Sequence, residues 1–101
     1  MNYFEKFATD EFNGMDVSEQ ADLKKWIETH YLKSVRINNR VSSKDLINLT
    51  PEHYSKYTEA ELTGAMMSLN FKAKYRGNTW YFNIDNNCVQ ILEQLKGQYK
   101  W

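Results

Sequence analysis

Cysteine occurs once in this chain, at Cys88, so the sequence can build neither an internal disulfide framework nor a CxxC metal clip. No motif supplies a base for that thiol, which reads as a small core residue rather than a nucleophile. Long apolar runs are missing too, and none approaches the roughly 20 residues that a bilayer-spanning helix needs. The opening MNYFEKFATDEF carries acids where a secretory leader would carry a basic and then an apolar segment. A cytoplasmic protein without membrane contact is the expectation. Paired carboxylates in a recognisable motif, a glycine-rich phosphate loop, and Ser/His/Asp or Cys/His constellations are also absent. His30 has no second histidine or carboxylate at a zinc-like spacing and reads as a structural residue. A role that is not enzymatic, with no metal and no cofactor, is therefore expected.

Net charge is absent as well, but only in the sum. Residues 1–22 hold six acids (Glu5, Asp10, Glu11, Asp16, Glu19, Asp22) against Lys6 alone, a net of −5, and the remainder carries +5. An acidic arm on a basic body is consistent with autoinhibition, with partner docking, or with solubility alone. Aromatic residues, by contrast, are plentiful: three Trp, seven Tyr and five Phe among 101 residues make one compact core affordable.

The most informative stretch is 58–84, TEAELTGAMMSLNFKAKYRGNTWYFNI. Thr58 and Glu61 have capping-box spacing, and Leu62, Ala65, Met66 and Leu69 share one helical face. Asn70 suits a left-handed C-cap, after which the period changes from 3.6 to 2. Phe71, Ala73 and Tyr75 then point one way, and Lys72, Lys74 and Arg76 the other. Arg76-Gly77-Asn78 supplies the turn, with Trp80, Phe82 and Ile84 as the apolar face of the return strand. A helix running into a hairpin with cationic outward positions is the second half of a winged helix (winged helix-turn-helix), an α+β fold.

The rest of the chain fits that assignment. In residues 1–15, an acidic aromatic arm, Phe4, Phe7 and Ala8 fit one helical face and Phe12 extends it loosely. The arm is either a short helix folded back on the core or a docking surface, and Asn13-Gly14 closes it. Residues 16–101 are read as the winged-helix domain with a C-terminal helix, able to fold without residues 1–13. Asp16 to Glu19 has capping-box spacing for a helix whose buried stripe is Leu23, Trp26, Ile27 and His30 or Tyr31. Residues 34–41 lean toward a small strand that pairs with the wing. Ser42 and Asp45 open a second helix with Leu46, Ile47 and Leu49 as core candidates, and Pro51 marks another start, followed by His53, Tyr54 and Tyr57. Val89, Leu92 and Leu95, flanked by Cys88 and Ile91, form the last helix, which Gly97 ends.

Val41-Ser42-Ser43 before the second helix, Glu61-Leu62, Leu69-Asn70-Phe71 and the aromatic return strand together carry a resemblance. Over roughly residues 20–84 the chain is similar to the winged-helix modules at the C-termini of phage and plasmid primase-helicases. The resemblance implies nucleic-acid work in the replication or regulation of a phage or mobile element. The residues offer two functional readings. In the first, DNA, single- or double-stranded, is bound with low sequence specificity. Its contacts are Lys72, Lys74 and Arg76 on the wing, Arg36, Arg40 and Lys44 nearby, and Tyr75 and Tyr81 for stacking. The central helix exposes Glu59, Glu61, Thr63, Met67 and Ser68, with no Arg or Lys for guanine edges, so it is a poor groove reader. In the second, Phe4, Phe7, Met67 and Trp101 contact a partner protein (a polymerase, a repressor or a host defence complex) or a second copy in a homodimer.

Overall fold

The computed structural model describes residues 2–50 and 57–99. They form five helices and a two-stranded antiparallel sheet, an α+β arrangement: α1 (Tyr3–Asn13), α2 (Val17–His30), α3 (Ser43–Leu49), α4 (Glu59–Ser68), β1 (Ala73–Arg76), β2 (Thr79–Phe82) and α5 (Asn86–Tyr99). None of these helices is long and apolar enough to cross a membrane.

Local chemistry accounts for most element boundaries. Full capping boxes open α3, with Ser42 and Asp45, and α4, with Thr58 and Glu61; each satisfies orphan N–H groups from both directions. Asn2 caps α1 by accepting from the Glu5 amide at 2.9 Å. Asp16 does occupy the N-cap position of α2, but its side chain makes no capping bond there. Asn70, at φ 70°, takes the left-handed position that follows α4. Gly77 and Asn78 both have positive φ, and Arg76 pairs with Thr79, so the hairpin closes on a two-residue type I′ turn. The strand expected over residues 34–41 does not form; isolated bridges flank that segment instead, Lys33 with Ile84 and Ser42 with Tyr81. Buried Asn83 replaces the missing ladder. Its side chain accepts from the Lys72 amide at 2.7 Å and donates to the Ser34 carbonyl at 2.9 Å. Helix α5 runs through Gly97 to Tyr99 instead of stopping there. The start signal at Pro51, with His53 and Tyr54, lies outside the described residues, as does Trp101.

The core is built on α4. Leu62, Thr63, Gly64, Ala65 and Met66 are all buried, which requires cover on every side of the helix. Helices α2 and α3 and strand β1 pack against it, and α1 lies along it in the most extensive contact between elements. Of the two readings of the acidic arm, the folded-back helix describes its position. The buried residues are Ala8 and Phe12, one turn apart, while Phe4 and Phe7 stay half-exposed. Thr63 is therefore buried and Met67 is packed against the core; both were expected at the surface. The expectation failed because it assumed one open face on α4, and α1 takes that face. From α2 and its C-cap, Leu23, Trp26, Ile27 and Tyr31 are buried, with His30 at the margin, its ring Nδ1 2.9 Å from the Trp26 carbonyl. Cys88, Val89 and Leu92 bring α5 into the same core, whereas Ile91 faces outward. Burial pushes the Cys88 thiol up from its ordinary range, and it donates to the Asp85 carbonyl at 2.9 Å.

Gly64 is where the two helices approach most closely. A methyl group there would overlap the Ala8 carbonyl oxygen and press on Phe12 Cβ. Helix propensity alone favours Gly64→Ala by about 1 kcal/mol. Overpacking against a backbone carbonyl costs about 1–3 kcal/mol, occasionally more. The net expectation is a destabilised protein, measured as a lower midpoint in chemical denaturation; a raised midpoint would mean that α1 does not sit against α4.

Candidate nucleic-acid interface

Strand alternation gives the hairpin two chemically different faces. Directly opposed residues share a face, so the register Lys74 to Tyr81 and Arg76 to Thr79 places Lys74, Arg76 and Tyr81 together, with Lys72 two residues along. The three cations are exposed, and none is in an ion pair among the described residues. The Arg76 guanidinium lies 5.1 Å from the Tyr81 ring centroid, a cation–π contact that presents both groups on the same surface. No carboxylate belongs to either strand.

The remaining predicted contacts divide. Arg36, Arg40 and Lys44 are exposed. Lys44 follows Ser42 and Ser43, which are tied to β2: Ser42 bridges Tyr81, and the Ser43 hydroxyl lies 3.0 Å from that of Thr79 and accepts from the Trp80 amide at 3.3 Å. Arg36 sits in the segment whose Ser34 and Asn38 amides donate to Asn83 and Phe82 carbonyls at 2.8 Å, beside the return strand. Arg40 lines a small groove with Val41, Asp45, Asn48, Leu49 and Glu93, so two carboxylates share its surroundings. Tyr75 does not share the face of the three cations. It stands on the other face of the hairpin, stacked on Phe4 with centroids 4.1 Å apart and edge-on to Trp80. Its place in the alternation, with Phe71 and Ala73, decides this.

That other face borders an open groove of about 520 Å³, lined chiefly by Tyr3, Phe4, Phe7, Glu11, Glu59 and Tyr75. Phe4 and Phe7, expected as partner-contact residues, are brought together there, but Met67 does not line it and is held in the core margin. Tyr3, Glu11 and Glu59 were missed. No periodicity marks them, because the groove exists only once α1 folds onto α4 beside the hairpin. No protein-family model matches the chain, and neither a curated protein nor a solved structure matches it.

Proposed function

We propose that the chain is a winged-helix protein that binds nucleic acid through its hairpin and not through α4, in the replication or regulation of a phage or mobile element. One observation carries the reading: Lys72, Lys74 and Arg76 project with Tyr81 from one face of a hairpin whose strands hold no carboxylate. Phosphates would be neutralised by the cations, and Tyr81 would pack on a sugar or an unstacked base. Both contacts are indifferent to sequence. Helix α1 covers α4 at Gly64, where a groove reader would need access, and α1 itself carries Glu5, Glu11 and the Lys6–Asp10 ion pair. Those carboxylates repel phosphate and confine nucleic acid to the wing.

The test is a titration against single- and double-stranded DNA between about 50 and 200 mM salt. Changing Lys72, Lys74 and Arg76 together to Gln should weaken binding and lower the slope of log K against log salt by about two units, since each lost phosphate contact removes about 0.7–0.9. Stability should hardly move, because all three side chains face solvent. Undetectable binding of the unmodified protein at about 50 mM salt would overturn the reading.

A further inference from the structure

The aromatic groove on the opposite face of the hairpin has a chemistry of its own. Tyr3 is 74% exposed, Phe4 43% and Phe7 47%, and all three lie on the first two turns of α1. Their rings continue inward: Tyr3 meets Phe4 edge-on at 5.4 Å, Phe4 stacks on Tyr75, and Tyr75 meets Trp80 edge-on at 5.1 Å. A contiguous exposed apolar patch of this kind marks an interaction site more often than scattered surface residues do. Its volume is in the range of clefts that enclose small ligands, so it admits a few side chains rather than a folded surface. Among the described residues, the charged ones that line it are Glu11 and Glu59. Two carboxylates beside phosphates would be repulsive, which excludes nucleic acid here. A symmetric pair of copies would bury the same carboxylates against each other without a cation, which disfavours self-association.

We propose that this groove captures a short segment of a partner protein in which an aromatic anchor is flanked by Arg or Lys. The anchor seats among Tyr3, Phe4, Phe7 and Tyr75, and the flanking cations are held by Glu11, Glu59 and the exposed ring faces. This site is independent of the cationic face, so a single hairpin presents nucleic acid on one side and a basic peptide on the other.

The experiment is an amide-shift titration of the full, isotope-labelled chain with acetyl-Gly-Ser-Arg-Trp-Arg-Ser-Gly-amide. The control is the same peptide with Glu in place of both Arg. The first peptide should give saturable shifts confined to residues 3–11, 58–60 and 75–80, and the control should bind about tenfold more weakly. Phe7→Ser should weaken binding about tenfold as loss of an anchor contact, and Glu11→Gln by a few-fold. Both substituted positions are exposed, and the charge comparison stands even if Phe7→Ser fails to fold. No saturable shift at millimolar peptide, equal binding of both peptides, or shifts centred on Lys72, Lys74 and Arg76 would each overturn the proposal. So would a dimer in solution that Phe7→Ser dissociates, because the groove would then belong to a second copy.

Discussion

Phe82→Ala is expected to remove about 3–5 kcal/mol of folding stability, the usual loss when a buried Phe is truncated. Phe82 is fully buried on β2, on the face it shares with Trp80 and with its partner Ala73. It belongs to the same core as Leu62 and Met66 of α4, so truncation would leave a void where strand meets helix. The opposite face supplies the control. Tyr81→Ala should cost about 1 kcal/mol or less, since that ring is only partly covered and its contact with Arg76 is at the surface. Urea denaturation of both variants reads the difference directly. A loss below about 1 kcal/mol for Phe82→Ala would mean that the hairpin faces are reversed.

Deleting residues 1–13 is expected to abolish cooperative unfolding, although the composition of the arm invites treating it as an appendage. Phe12 is almost fully buried and Ala8 completely so, both against α4. Losing the buried Phe12 side chain alone is worth about 3–5 kcal/mol, against a total of about 5–15 kcal/mol for a domain of this size. The deletion would also expose the part of α4 around Gly64, which has no polar outer surface of its own. Loss of the sigmoidal thermal transition, with binding of a hydrophobic dye, is the outcome to look for. A truncated chain with an unchanged melting midpoint would show that the arm is dispensable, and autoinhibition by α1 would then become testable as a gain in DNA affinity. Under the packing seen here, α1 is a structural member of the core.

Local rules were strongest where a residue's partner lies within four positions along the chain. Both capping boxes, the left-handed Asn70, the tight turn at Gly77-Asn78 and the alternation of Lys72, Lys74 and Arg76 with Phe71, Ala73 and Tyr75 are legible in the sequence. The cap at Asp16 shows the limit of such rules. The right residue stands at the right position, yet its side chain makes no capping bond, because spacing permits a cap without enforcing it.

Fold class and the polarity of the hairpin were thus determined by the sequence itself, since period, turn chemistry and caps are short-range and each leaves a mark on neighbouring residues. Tertiary structure alone decided which face of α4 would be closed, and with it the fate of Thr63 and Met67. It also decided that Tyr75 would stack on Phe4, and that Tyr3, Glu11 and Glu59 would share a groove. The physical reason is the Gly64 crossing. A glycine in a helix costs about 1 kcal/mol and signals nothing about direction until another backbone comes close enough to need the missing side chain. That backbone belongs to Ala8, more than fifty residues earlier in the chain, and no local pattern could name it.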